Sequence, residues 1–222
     1  MFTDEEIKKR IVDQLFWDSR VDASDIHIEI NNSHVTLHGT VPTSFARKSA
    51  ESDAWAVPGV ETVENRITVQ LDSPVPSSAR ELKDNIRNAF NWDPALAGED
   101  LIISLEEGVV VLEGAVGHYW QKQKAQEKAK NIAGVIVVDN RIAVTPTHDI
   151  MDEIIAQDII NALERNIDID IDLIDVKVEK GKVTLSGKVP DFHAYKTAEN
   201  VVHFTTGVID LQNDLSIFPL AM

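Results

Sequence analysis

Aromatic residues next to lysines form the pattern in this sequence that points most directly to a binding chemistry. Tyr119 and Trp120 are followed at short intervals by Lys122, Lys124 and Lys128. Aromatic rings on an amphipathic helix favour the headgroup layer of a membrane, and lysine ammonium groups attract anionic lipid. Aromatic residues occupy the matching places elsewhere in the chain, at Phe45 and Phe192. These residues predict contact with an anionic phospholipid or membrane surface. The alternative is a solvated helix whose rings pack locally or against a neighbouring part of the chain.

Histidines are the first candidates for a metal site. In the strand register set out below, His27 lies opposite His38, with His34 on the same side. Two imidazoles on paired strands can bind zinc, but no third ligand is evident. We therefore predict surface histidines and no metal.

A run of carboxylates has part of the spacing of a calcium-binding loop. Asp168, Asp170, Asp172 and Glu179 match four of the ligand positions of that loop. Leu173 stands where the loop needs glycine, and Glu179 falls in an expected strand. We predict a helix exit that leads into a half-exposed strand, with no cofactor.

Catalytic sequence motifs are missing from the chain. There is no G-x-S-x-G, H-E-x-x-H or phosphate-cradling glycine run. Without cysteine, disulfides, thiolate metal sites and cysteine nucleophiles are excluded as well. The carboxylates are scattered over expected exposed faces, so the sequence predicts a protein that is not an enzyme.

Charge limits the classes of partner that the chain can bind, and hydropathy limits the compartments in which it can reside. The net charge of −16 argues against nucleic acid as a partner, since a phosphate backbone repels such a surface. Residues 74–147 are the exception, with 10 acids against 8 bases. No export signal and no membrane-spanning apolar run is present, so we expect a soluble protein. As written it is cytoplasmic, and it is periplasmic if an export signal has been removed.

An internal repeat organises the whole sequence. Three glycines are each followed 20 residues later by a second glycine, and an asparagine comes six residues after that. The three sets are Gly39, Gly59, Asn65; Gly114, Gly134, Asn140; and Gly187, Gly207, Asn213. Apolar positions between them align without a gap. We therefore predict three modules, at residues 1–71, 77–146 and 149–218.

Periodicity predicts the elements of each module. Ile7, Ile11 and Leu15 recur every four residues, as on one face of a helix. The alternation in residues 26–30 is typical of a strand, and a two-residue hairpin turn leads to its partner. A second helix with small residues and a last strand complete the order α-β-β-α-β. The prediction is an α+β fold, in which each module has a three-stranded mixed sheet with two helices on one face.

The repeated unit resembles the BON domain, a family named after bacterial osmotically induced and nodulation proteins. The shared features are a G-x-V-P loop, an alanine-rich second helix, a G-V turn and a final N-x-[I/L] strand. The matching residues are Gly39, Pro42, Gly59, Val60 and Asn65, with Gly114, Gly134, Val135 and Asn140, and with Gly187, Pro190, Gly207, Val208 and Asn213. The resemblance implies a phospholipid-binding or envelope-associated module linked to osmotic stress, with members beside channels or secretion pores. It implies no catalytic residue.

The free face of the middle sheet differs from the other two. It carries Ile102, Val109 and Val111, where the first module has histidine and threonine side chains. Because exposed aliphatic residues on a sheet are a liability, we predict that this face docks on a neighbouring repeat or a second chain. Trp17 and Trp92 share one position and are expected to pack in the core or between repeats.

These observations predict a non-enzymatic binding protein of osmotic or general stress response that contacts a phospholipid or envelope surface. The alternative is a cytosolic scaffold that responds to ions or binds proteins. That alternative includes a homo-oligomer formed through the middle repeat.

Overall fold

The computed structural model describes residues 2–70, 78–106, 109–146 and 150–218. The helices found there are α1 (Asp4–Trp17), α2 (Ser44–Trp55), α3 (Ala79–Asn91), α4 (Tyr119–Lys130), α5 (Asp152–Glu164) and α6 (Phe192–Phe204). The strands are β1 (Ile26–Asn31), β2 (His34–Val41), β3 (Thr62–Val69), β4 (Ile102–Glu106), β5 (Val109–Glu113), β6 (Ala115–Val116), β7 (Val137–Asn140), β8 (Ala143–Val144), β9 (Ile174–Glu179), β10 (Lys182–Val189) and β11 (Asp210–Ile217). The order α-β-β-α-β recurs three times, which confirms the predicted α+β fold.

Each repeat builds one three-stranded sheet, in the orders β1-β2-β3, β4-β5-β7 and β9-β10-β11. In the first and third sheets the hairpin is antiparallel and the last strand is parallel to its neighbour, so these sheets are mixed as predicted. Ile28 pairs with Leu37 and Ile30 with Val35, the register expected from the two-residue turn. In the middle repeat, β6 and β8 form an additional parallel pair.

The core of the first repeat lies between its two helices and its sheet. Ile7, Ile11 and Leu15 of α1 are fully buried, together with Leu37 of the sheet. Ala50 of α2 is also fully buried, and its small side chain lets that helix approach the strands closely. The third repeat uses the same positions in a second apolar cluster.

Hairpin turns in the first and third repeats are held by an aspartate at the start of the first helix. The Asp4 carboxylate accepts hydrogen bonds from the backbone N–H groups of Asn32 and Ser33, at 2.9 and 3.0 Å. Asp152 does the same for Lys180 and Gly181 in the third repeat. Both residues of each turn have positive φ, as a primed hairpin turn requires. The equivalent turn of the middle repeat, residues 107 and 108, lies outside the described residues.

The repeated asparagine ties the second helix to the last strand. The Asn65 amide donates to the Arg47 carbonyl and the Glu51 carboxylate, at 3.0 and 3.1 Å, and its oxygen accepts from the Ile67 backbone. Asn140 makes the equivalent three bonds in the middle repeat. In the third repeat the Asn213 oxygen accepts a hydrogen bond from the Leu215 backbone N–H at 3.3 Å, but its Nδ2 is buried without a partner among the described residues, so only the first two repeats share all three bonds.

The chain divides into two compact units. One contains Met1–Asn85, Leu105–Val110 and Ala129–Val138, and the other Ile86–Ser104, Val111–Lys128 and Asp139–Met222. The middle repeat thus contributes segments to both units.

Candidate functional site

Tyr119, at the start of α4, is packed inside the second unit and is only 5% exposed. It joins the apolar cluster of the third repeat, where its ring meets His203 edge to face at 5.3 Å. Its hydroxyl accepts a hydrogen bond from the Gln123 amide at 2.8 Å, and burial raises the pKa of the phenol. The ring therefore links the middle repeat to the third. Tyr119 was predicted to face lipid, and in this structure it does not lie at the surface.

The lysines of α4 are largely paired within the second unit. The Lys124 and Lys128 ammonium groups lie 3.0 and 2.9 Å from the two carboxylate oxygens of Asp93. The hydrogen bond from Lys128 is the main cause that lowers the pKa of Asp93 to about 2, so the carboxylate stays ionised. Trp120 lies beside Lys124, whose ammonium group is 5.9 Å from the ring centroid. Of the predicted lysines, Lys122 alone has no side-chain partner among the described residues, and Asp93 offsets one of the two charges on Lys124 and Lys128.

Phe45 and Phe192 stand in different local surroundings. Phe45 is exposed at the start of α2, next to Ser44, whose hydroxyl donates to the Val135 carbonyl at 3.3 Å. Phe192 is half-buried and stacks on Tyr195 at 6.0 Å. The first residues of α2 and α4 thus both contact the following repeat, Ser44 within the first unit and Tyr119 within the second.

Two tryptophans at equivalent positions are the most exposed large aromatic side chains of the described residues. Trp17 is 81% exposed at the end of α1, and Trp92 is 87% exposed just past the end of α3. Phe16, also exposed, meets Trp17 edge to face at 5.4 Å. The prediction that Trp17 and Trp92 pack in the core or between repeats is therefore wrong. Trp17 lies about 200° around the helix from Leu15, which places it away from the buried face.

The apolar residues of the middle sheet are open in the single chain. Ile102 of β4 is 59% exposed, and Val109 and Val111 of β5 are partly exposed. Docking of this face on a neighbouring repeat therefore stays a prediction. The contacts between repeats described above use the starts of α2 and α4. Docking of this face on a second chain remains a prediction.

A buried carboxylate lies between the two helices of the first repeat. Asp53 of α2 is 4% exposed, and its Oδ2 has no hydrogen-bond partner. Its Oδ1 lies 3.7 Å from the Arg20 guanidinium, which is paired closely with Asp18. Burial, followed by the neighbouring Asp18, raises the pKa of Asp53 to about 6, whereas Arg20 lowers the pKa of Asp18.

The remaining sequence candidates lie in the β1–β2 hairpin and around β9. His27 pairs with His38 across β1 and β2, and His34 lies 2.6 Å from the Thr62 hydroxyl. Asp170 caps a short 3-10 turn, and Glu179 lies at the end of β9, 2.8 Å from Lys177. Within the described parts of the chain, no three histidine, aspartate or glutamate side chains are grouped closely enough to hold a metal ion.

No helix among the described residues has the length and apolar character needed to span a bilayer.

Comparison with known families gives one match that covers the three repeats. The family model described as BON domain matches residues 3–70, 78–146 and 151–218. No curated protein matches the sequence.

Solved structures give only distant similarity. A structure described as CdsD, a structural protein of the type III secretion system of Chlamydia trachomatis, is 16% identical, with a TM-score of 0.29 over 96% of this chain and 93% of that one. A C-terminal domain of CdsD is 14% identical, with a TM-score of 0.28 over 98% and 100%. The PrgH periplasmic domain is 12% identical, with a TM-score of 0.22 over 93% and 99%. These scores are too low to support a shared overall architecture.

Proposed function

Because the chain belongs to the BON domain family, with three tandem copies, we propose that it is a non-enzymatic protein that binds a phospholipid surface in an osmotic or general stress response. The family consists of binding modules, which agrees with the sequence motifs discussed above. A phospholipid surface is accessible from either side of a bacterial membrane, so the proposal holds for both the cytoplasm and the periplasm.

The exposure of Trp17 and Trp92 is the observation that carries this proposal. A tryptophan in water leaves a large apolar ring hydrated, which is unfavourable by about 25 cal/mol for each Å² of apolar surface. At the headgroup layer the ring is removed from water while its N–H still finds an acceptor. Two copies of the same repeat position, at 81% and 87% exposure, therefore present side chains suited to a membrane interface.

Electrostatic attraction has a smaller part in this proposal than the sequence indicated. Lys124 and Lys128 share the single carboxylate of Asp93, which offsets one of their two positive charges, and the chain carries a net charge of −16. An anionic bilayer therefore repels much of the surface, although Lys122 remains available. We expect aromatic insertion to provide most of the affinity, so that binding depends weakly on salt.

Replacing both tryptophans by alanine is expected to weaken vesicle binding about 10-fold or more, since two buried rings are lost from the interface. The measurement is co-sedimentation of the full chain with neutral phosphatidylcholine vesicles and with mixed anionic vesicles. Both positions are exposed, so the unfolding free energy should stay within about 0.5 kcal/mol of the original.

Two variants control for this experiment. Val12→Ala removes another exposed apolar side chain from α1 and should leave vesicle binding unchanged. Lys122→Glu tests the ionic contribution and should reduce binding only slightly, and only to anionic vesicles. Binding by Trp17→Ala/Trp92→Ala at the original strength would contradict the proposal, as would a native chain that fails to sediment with either vesicle.

A protein-interaction scaffold is the second candidate function, and the exposure of Ile102 favours it. A self-complementary apolar sheet face can hold two copies of a chain together, and this repeat carries the smallest net charge of the three. The ion-responsive form of the scaffold has no equivalent support among the described residues.

Self-association is expected to depend on Ile102 if this second function operates. Ile102→Lys should abolish any concentration-dependent dimer seen by light scattering coupled to size exclusion, because it places a charge in the apolar contact. His27→Lys is the matched control, at the equivalent and already polar position of the first repeat. A chain that is monomeric at all concentrations, or a dimer that tolerates Ile102→Lys, would rule out a scaffold that self-associates through this face.

A further inference from the structure

The third repeat contains an open groove between α5 and α6 with a volume of about 580 Å³. Its walls carry an unusual proportion of amide, hydroxyl and guanidinium groups, from Asn161, Arg165, Thr197 and Asn200. Two apolar side chains complete it: Val201 is half-buried, and Phe204 is 70% exposed. All of these residues belong to the second unit.

The equivalent place holds ion pairs in the other two repeats. The position of Val201 is Asp53 in the first repeat, near Arg20, and Lys128 in the middle repeat, 2.9 Å from Asp93. Asn166 stands where the first two repeats have Asp18 and Asp93. Because Val201 and Asn166 are uncharged, no ion pair fills the space in the third repeat. The uncharged lining at these two positions is thus specific to this repeat, although the helices around it are common to all three.

Several polar groups in the groove are available to a ligand. Arg165 is exposed at the end of α5, and none of the described residues forms an ion pair or hydrogen bond with its side chain. The Asn161 oxygen accepts a bond from Gln157 at 2.9 Å, which leaves its amide hydrogens free to donate. Asn200 has no side-chain partner within the described ranges. A free guanidinium and two amides therefore line one groove.

We propose that this groove binds an acidic saccharide, a hydroxyl-rich ring that bears a carboxylate. The Arg165 guanidinium forms paired hydrogen bonds with the carboxylate. The amides of Asn161 and Asn200 donate to and accept from ring hydroxyls, and Asp158 in the groove wall accepts from a further hydroxyl. Phe204 packs against the apolar face of the sugar ring, and this contact removes the exposed surface of the phenylalanine from water.

The test is a titration of the isotope-labelled full chain with D-glucuronate, followed by the side-chain amide resonances of Asn161 and Asn200. We expect both resonances to shift at millimolar ligand. D-glucose lacks the carboxylate, and its affinity should be lower than that of glucuronate by about 10-fold or more. Acetate lacks the ring hydroxyls, and we expect the same loss of affinity. Equal binding of glucose or acetate, or no shift of either amide with glucuronate, would overturn the proposal.

Arg165→Gln is the decisive variant and should weaken glucuronate binding about 10-fold, with no change in glucose binding. Arg141→Gln is its matched control, because Arg141 is also exposed in the second unit but is paired with Asp139 at 2.6 Å. A thermal melt of both variants checks that the fold is intact, as expected for exposed positions. If the two variants affect glucuronate binding equally, Arg165 does not bind the carboxylate and the assignment fails.

Discussion

Replacing Gly39 by alanine is expected to destabilise the first repeat by about 3 to 5 kcal/mol, enough to unfold it in mild denaturant. Gly39 has φ +123°, where side chains with a Cβ are strained, and it pairs with Ile26 in the β1–β2 ladder. An added Cβ would overlap the backbone carbonyl oxygen of Asp25. The strand cannot move away from that carbonyl without losing its pairing, so both costs add. Urea unfolding of the full chain measures the loss.

Gly98→Ala separates the two causes of this effect. Gly98 also has positive φ, at +101°, but a Cβ there meets nothing within 4 Å. The Gly98→Ala variant should therefore lose only the free energy of conformational strain, about 1 kcal/mol. Similar losses for the two variants would show that the close approach of β1 to β2 is not what requires glycine at this repeated position.

Replacing Asp53 by asparagine is expected to stabilise the chain by about 1 to 2 kcal/mol near neutral pH. Burial beside Asp18 raises the pKa of Asp53 to about 6, so the folded state favours the protonated acid. The stability from that proton is fully present below the unfolded pKa of about 3.9 and is lost as pH rises through about 6. The amide N–H of asparagine can donate to Asp18 at every pH, so the variant does not lose stability as the pH rises.

The pH profile distinguishes this cause from a general gain in stability. The difference between the variant and the original chain should be largest at about pH 7 and should vanish toward about pH 4. The contribution of Asp18 to the unfolding free energy has the opposite pH dependence, because Arg20 lowers the pKa of Asp18. This contribution is lost on acidification in both proteins. Asp13→Asn, at an exposed position of α1, is the control for the loss of one carboxylate from the same repeat. A gain from Asp53→Asn that is constant over this range would contradict the buried-carboxylate account.

The fold was predictable because the same pattern occurs three times with its spacing intact. The four-residue recurrence of Ile7, Ile11 and Leu15 indicates the buried face of α1, and the turn length sets the β1–β2 register. These are local features, determined by helix and strand periodicity. The buried Tyr119 was not predictable in this way, because the third repeat buries it and no residue near it in the sequence indicates that contact.

For Trp17, the position in the helix predicts exposure, whereas hydrophobicity alone predicts burial. Its side chain is strongly apolar, which favours a core position, but its place two residues after Leu15 turns it away from the core. The groove beside Arg165 was a different kind of omission. Its lining has Val201 and Asn166 where the other two repeats have charged residues, and a difference of this kind forms no sequence motif.

Tryptophan fluorescence with brominated phospholipids tests the central claim, contact of Trp17 and Trp92 with a phospholipid surface, most directly. Replacing Trp55 and Trp120 by phenylalanine leaves these two as the only tryptophans of the four in the chain. Vesicles should shift their emission to shorter wavelength, and lipids brominated near the headgroup end of the acyl chain should quench it. Emission that stays unchanged and unquenched while the chain sediments with vesicles would show that another surface makes the contact.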